Sequence, residues 1–315
     1  MENLAALAAH VRTELAKILV GQREVTDHLL LVLLCGGHAV IEGVPGLAKT
    51  LAVKSLARIC GLGFQRVQCT ADLMPADITG TSVFNLAQSS FTLHRGPVFT
   101  DLLLVDEINR TAPRTQAALL EAMEERQVTI DGTRYPLNDR FTVLATQNPI
   151  EFEGTYPLPE AQLDRFLLKI RVSYPTAEEE IEIVARHGRG FDPRSLDEIA
   201  LVPIAPDLLS AARGELARVT VDASLHAYVV TLIRRTRDWP SVSLGASPRA
   251  AVALFLAARA LAGMAGRDYL LPDDVKAAAL PVLRHRLLLK PEADLEGLTP
   301  DQVIQQVIAA VEIPK

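Results

Sequence analysis

Two clusters in this sequence have the residue types and spacing to handle a triphosphate. The first is Gly43, Val44, Pro45, Gly46, Leu47, Ala48, Lys49 and Thr50, with Leu51 opening the helical segment behind them. Glycines let backbone N–H groups approach phosphate oxygens, and a helix N-terminus adds a positive dipole end. Lys49 has the reach for β and γ phosphates, and Thr50 supplies a hydroxyl for Mg2+. Ala48 stands where the strict GxxxxGK[ST] loop has its second glycine, so this motif alone also fits a strand-to-helix turn with a solvated lysine.

The second cluster is Asp106 and Glu107, two carboxylates delivered by the apolar run 102–105. Asp106 is expected to hold Mg2+, often through water, while Glu107 orients and polarises the attacking water. A lone acid after a strand can simply cap the next helix. The ordered pair of motifs, both at strand ends, points instead to ATP with Mg2+.

Three further polar residues gain meaning beside them. Asn148, in ATQNP at 145–149, ends the next strand beside Asp106 if the sheet is parallel, where an amide could position water; a turn Asn before Pro is the other reading. Arg249, in SPR at 247–249, takes the second position of a helix, where a cation opposes the dipole; it contacts an anion or is merely solvated. Arg165, in LDRF at 163–166, reads as a surface partner of Asp164.

These residues need a scaffold that brings strand ends together. From 39 to 172 short apolar runs alternate with helical patterns, the signature of a parallel sheet covered by helices. Strands are predicted at 39–41, 64–68, 102–105, 141–145 and 167–172. In open α/β sheets the ligand loops emerge at the carboxyl ends of such strands. Asp131-Gly132 within 127–135 signals a hairpin, and 81–94 reads as a second one around the polar NLAQSS segment. Beyond Pro175 the pattern is helical, with starts at Ser247-Pro248, Pro272 and Thr299-Pro300. The expected division is an α/β domain at 1–175 and a helical domain at 176–315.

Composition narrows the function classes. Thirty-two basic against 38 acidic residues, a net charge of −6, disfavour a surface built for nucleic acid. Three cysteines, Cys35, Cys60 and Cys69, form no CxxC pair, so neither a disulfide framework nor a zinc site is indicated. The first 17 residues read as an amphipathic helix rather than a signal peptide. The longest apolar runs, 29–35 and 250–258, fall well short of the roughly 20 residues of a membrane span. A soluble, cytoplasmic setting is expected.

On these residues the sequence resembles the AAA+ ATPases, and among them the MoxR family. The resemblance rests on GVPGLAKT at 43–50, CTADLMPADITG at 69–80, VDEINRTAPRTQAALLEAMEERQVTIDG at 105–132, ATQNPIEFEGTYPLPEAQLDRF at 145–166 and GASPRA at 245–250. The Ala before Lys49 is itself similar to the MoxR form. The resemblance implies a P-loop αβα core with a parallel five-stranded sheet and a C-terminal all-helical lid. It implies Walker A at Lys49 and Thr50, Walker B at Asp106 and Glu107, and sensor 1 at Asn148. Arg165 then resembles an arginine finger acting on a neighbouring subunit's nucleotide, and Arg249 a sensor 2 from the lid. Val20, Gly21 and Gln22 resemble the segment near adenine. The hairpins at 81–94 and 127–135 resemble a helix-2 insert and a pre-sensor-1 hairpin near a central pore. A ring, most often hexameric, is implied, as are a von Willebrand factor A-domain partner and a protein client matured or loaded with metal. Two other classes share this core: a nucleic-acid motor or loader, and a nucleotide-switched scaffold with little turnover. The first would want basic hairpins, yet 81–91 contains no Lys or Arg.

Overall fold

The computed structural model describes residues 1–314 apart from 88, 150–153, 194 and 196–198. One residue of the NLAQSS segment and part of the 145–166 motif therefore lie outside the described residues. The first half runs α1 (Glu2–Ala16), α2 (Arg23–Cys35), β1 (Ala39–Glu42), α3 (Lys49–Ile59), β2 (Phe64–Gln68), α4 (Pro75–Thr79), β3 (Gly80–Asn85), β4 (Ser90–Arg95) and β5 (Leu102–Asp106). It continues through α5 (Pro113–Glu125), β6 (Gln127–Ile130), β7 (Thr133–Pro136), β8 (Thr142–Gln147), α6 (Glu160–Leu163) and β9 (Leu168–Arg171).

Strands β2, β5, β8, β1 and β9 stand in that order and every pairing between them is parallel. Both faces of the inner strands β1, β5 and β8 are covered, which is why these read as apolar runs rather than as an alternation, whereas the edge strand β2 exposes Gln65, Arg66 and Gln68. Along β5, Leu102 and Leu104 enter one core with α2 and α3, while Leu103 and Val105 enter the other with Leu119 and Met123 of α5. The period of two thus sends successive side chains to opposite layers. The buried His38 pins these layers: Val143 N–H donates to its Nδ1 at 2.9 Å, leaving Nε2 to donate to the Met123 carbonyl at 3.2 Å. Burial pushes the His38 imidazole down to about 4, so it stays neutral.

The two hairpins stand outside this sheet. In the β6–β7 hairpin Asp131 and Gly132 both take positive φ, 48° and 78°, the conformation of a type I′ turn. In the β3–β4 hairpin Phe84 and Phe91 pair across the strands with ring centroids 5.2 Å apart, yet both remain substantially exposed.

The rest of the chain forms α7 (Ala177–Gly188), α8 (Leu208–Leu216), α9 (Ala223–Arg237), β10 (Val242–Leu244), α10 (Pro248–Met264), α11 (Pro272–Leu283), β11 (Leu288–Leu289), α12 (Pro291–Leu295) and α13 (Pro300–Ala310). The predicted helix starts appear as Ser247 and Thr299 caps, each accepting a backbone N–H three residues on, with proline following. Within this helical part the structure adds one short antiparallel pair, β10–β11, too short to leave a sequence period. The first helix packs against this part as well as against α2 and α3: the buried Glu215 of α8 accepts from the backbone N–H of Leu4 at 3.0 Å and from Asn3 Nδ2 at 2.8 Å. Leu4 and Leu7 of α1 share one core with Leu254 and Ala258 of α10.

Candidate nucleotide-binding site

The loop 43–50 leaves β1 and runs into α3, so its conformation is set by both ends. Gly43 is buried, and a Cβ there would lie 2.9 Å from the Val172 carbonyl beyond β9; only glycine allows that approach. Gly46 and Ala48 both turn left-handed, with φ of 86° and 55°. Ala48 therefore adopts the conformation for which the strict loop carries glycine, at a cost of about 1 kcal/mol for its Cβ. Lys49 Nζ donates to the Gly43 carbonyl across the loop. Partial burial holds the Lys49 ammonium below the usual lysine value, against the opposing pull of Asp106, Glu107 and Glu42.

In front of the loop lies a cleft of about 510 Å3. Its polar end holds Lys49, Thr50, Asp106, Glu107 and Asn148, drawn from β1, β5 and β8 because those three strands are neighbours. Its apolar end is made by Ile18, Leu19 and Val20 from one side and Ile183, His187 and Phe191 from the other. A cleft with one charged and one apolar end has the size and character of a nucleotide site. Of the remaining predicted residues, Gln22, Pro45, Gly46, Leu47, Ala48 and Leu51 line it too. Gly43 and Val44 are not among the lining residues, and Gly21 borders an adjoining depression, its φ of 66° letting it pack against Glu179.

The two acids are organised by a residue the motifs do not reveal. Thr146, fully within β8, accepts the Glu107 backbone N–H at 2.8 Å and donates to Asp106 Oδ1 at 3.1 Å. Glu107 itself sits at φ 58°, which turns its side chain off the strand and toward Arg110 Nη1 and Gln68 Nε2, 3.1 and 3.0 Å away. Arg66 Nε reaches Asp106 Oδ2 at 2.6 Å, and Thr50 Oγ1 approaches the same oxygen at 3.4 Å. Arg66 and Gln68 were legible only as polar residues two apart on one strand face. Replacing Thr146 by Val leaves the Asp106 oxygen and the Glu107 N–H without their partner, and the expected loss is about 1–3 kcal/mol of unfolding free energy. Urea denaturation measures it, and an unchanged midpoint would rule out this bridging role.

Arg165 and Arg249 are not in this cleft. They lie together beyond α5, where Glu124 accepts from Arg165 Nη1 at 3.0 Å and from Arg249 Nη1 at 3.3 Å. The expected Arg165–Asp164 pairing is corrected: Asp164 is engaged by Arg286 Nε at 2.7 Å and by the Ser247 hydroxyl at 2.9 Å. The cause is the approach of α10 and the 284–286 turn, which sequence spacing cannot show. Arg286 is almost fully buried and also donates to the carbonyls of Phe166 and Leu167. Asp164 thus fixes the segment bearing Arg165 to the N-cap of the helix bearing Arg249.

A phosphate-type loop between β1 and α3, an acid pair one strand removed across β8, and a parallel sheet ordered β2-β5-β8-β1-β9 define a P-loop ATPase with a helical lid. Residues 38–168 match the ATPase family associated with various cellular activities (AAA), and residues 234–307 match the AAA lid domain. The chain is 44% identical to chaperone MoxR1 of Mycobacterium tuberculosis, over 98% of this chain and 84% of that protein. It is 32% identical to protein MoxR of Paracoccus denitrificans, over 94% and 93%. A crystal structure of a Cytophaga hutchinsonii protein superposes with a TM-score of 0.89 at 40% identity, covering 100% of this chain and 98% of that one. The chain belongs to the MoxR family of AAA+ ATPases.

Proposed function

We propose that this ATPase works as a ring, hydrolysing ATP between subunits to remodel a protein client. The observation that carries the reading is the position of Arg165 and Arg249: two cations side by side, away from their own cleft, both paired with one partly exposed carboxylate, Glu124, with Arg165 also donating to the Leu120 carbonyl. Exposed ion pairs of this kind contribute at most about 1 kcal/mol, so Glu124 can be exchanged for phosphate oxygens of a neighbour. Within one subunit the loop amides and Lys49 bind phosphate, Glu107 orients water, and Asn148 holds that water from β8. Arg165 and Arg249 of the adjacent subunit then meet the charge that develops as the phosphoryl group leaves.

Mg2+ fits the residues at the polar end. Among the described residues no group of three His, Cys, Asp or Glu side chains could form an all-protein metal cage. One carboxylate and one hydroxyl, Asp106 and Thr50, instead suit a hard cation that takes its other ligands from water and substrate. Mg2+, when bound there, neutralises phosphate charge.

The units that move are an α/β part, 1–175, and a lid, 176–315. The cleft supports this reading because α7 supplies Ile183 and His187 to its apolar end. Relative motion of the two parts would carry the hairpins. The β3–β4 hairpin exposes Val83, Phe84, Leu86 and Phe91, an apolar surface suited to polypeptide rather than to phosphate backbones. The chaperone name of the M. tuberculosis relative supports a client of this kind. A von Willebrand factor A-domain partner and a metal-loading role for the client follow from the family resemblance. Among the described residues no helix is long and apolar enough to cross a membrane, and a cytoplasmic site of action is part of the same proposal.

Turnover per subunit measured against protein concentration tests the assembly directly. The expected rate rises steeply as subunits associate, rises further with an unfolded polypeptide, and does not respond to single-stranded DNA. A rate per subunit that is flat over a hundredfold dilution, with every chain monomeric, would sink the interfacial site.

A further inference from the structure

Asp106 is buried, and an isolated carboxylate at such a position would be strongly disfavoured. The countercharge in direct contact with it is Arg66, which projects from the edge strand β2 into the cleft, while Lys49 acts on it through charge. The Arg66 Nε lies 2.6 Å from Asp106 Oδ2, the oxygen that also faces the Thr50 hydroxyl. The guanidinium therefore occupies the side of the carboxylate on which a divalent cation shared with Thr50 would bind. Arg66 is half exposed, so its side chain can swing into solvent without opening the core. Its second nitrogen, Nη2, donates to Gln68 Oε1 at 2.9 Å, and Gln68 in turn donates to Glu107 Oε2 at 3.0 Å. One connected chain of hydrogen bonds thus runs from the expected metal carboxylate to the expected water-activating one.

We propose that Arg66 is a resident stand-in for Mg2+: it neutralises Asp106 while the metal is away, competes with it for the same oxygen, and on leaving releases Gln68 from one of its two partners. The proposal rests on the reading of Asp106 and Thr50 as the metal-side pair. A guanidinium and a metal ion on the same side of that oxygen repel one another, so each occupancy disfavours the other. Filling of the metal site is thereby linked to the restraint on Glu107, and the acid is set only once metal and nucleotide are both in place.

Binding of a fluorescent ATP analogue to the full chain, titrated with Mg2+, tests this without reference to turnover. In Arg66→Gln the Mg2+ concentration for half-maximal binding is expected to fall about fivefold, the equilibrium equivalent of losing a partly exposed ion pair as competitor. Thermal unfolding in EDTA should begin at a lower temperature than in the wild type, and that deficit should close when Mg2+ and nucleotide are added. Gln68→Ala removes only one of the two groups that hold the guanidinium. It should shift the Mg2+ requirement in the same direction by about twofold, and it decides the matter if Arg66→Gln does not fold. An unchanged or increased Mg2+ requirement in these variants, with a Mg2+-dependent wild type, overturns the proposal alone. A wild type whose nucleotide binding ignores Mg2+ overturns the metal reading beneath it as well.

Discussion

Glu107→Gln is expected to bind ATP as tightly as the wild type and to lose turnover by two to four orders of magnitude, about the contribution of a positioned general base. The geometry separates the two effects. In the proposed reading affinity comes from the loop amides, Lys49 and the apolar end of the cleft, and Glu107 acts on Lys49 through its charge. That carboxylate is held by Arg110 and Gln68, while its backbone N–H is held by Thr146. A glutamine keeps the shape and the backbone contact, so the left-handed turn at Glu107 should persist. What is lost is the negative charge proposed to polarise water. Equilibrium binding of labelled ATP beside a phosphate-release assay separates these quantities. Turnover equal to the wild type would remove Glu107 from the role proposed for it, whereas loss of binding would show that the charge organises the cleft itself.

Arg165→Ala should abolish hydrolysis, by about three orders of magnitude, with nucleotide affinity nearly intact. Folding should survive, because the residue gives up only a partly exposed pair with Glu124 and a 3.2 Å bond to the Leu120 carbonyl. The decisive experiment mixes this variant with Lys49→Ala subunits, each preparation being inactive by itself. An Arg165→Ala chain retains a complete cleft and a Lys49→Ala chain retains its arginine, so contacts between unlike chains in one of the two orders restore a site. For random assembly from equal parts about a quarter of the contacts in a ring are of that order, and activity should recover to a comparable fraction. Absence of any recovery, with mixed assemblies present, would place Arg165 outside a shared site.

These two expectations draw on residues of very different legibility. Lys49 and Thr50 follow from local chemistry, since the loop has to begin a helix and to bring amides close to an anion. The inner strands are legible for a related reason: burial on both faces demands continuous apolar runs, and 102–105 falls within β5, which is buried at every residue. The Asp131-Gly132 turn is visible because the type I′ turn that closes this hairpin needs positive φ at two successive residues, which Asp-Gly tolerates. Ala48 shows the limit of a motif read as letters. The position requires a left-handed backbone, and alanine meets that requirement at modest cost where glycine would meet it freely.

Thr146, Arg66 and Glu124 were not legible because their partners are distant in sequence and are set by strand order and helix docking. Thr146 meets Asp106 across forty positions and Arg249 meets Glu124 across 125. Arg165 follows the short helix α6, where nothing local distinguishes a functional cation from a solvated one.

By itself the sequence determined the class of chemistry and the layered scaffold, because phosphate loops, buried strands, helix caps and tight turns are all dictated by nearest neighbours along the chain. Only the tertiary structure decided how the charges are shared. Parallel packing of β8 between β5 and β1 gathers the acids beside the loop, and Glu124 of α5 pairs with Arg165 and Arg249 away from it. The physical reason is that a charge's function depends on which opposite charge it faces, and that is settled through space rather than along the backbone.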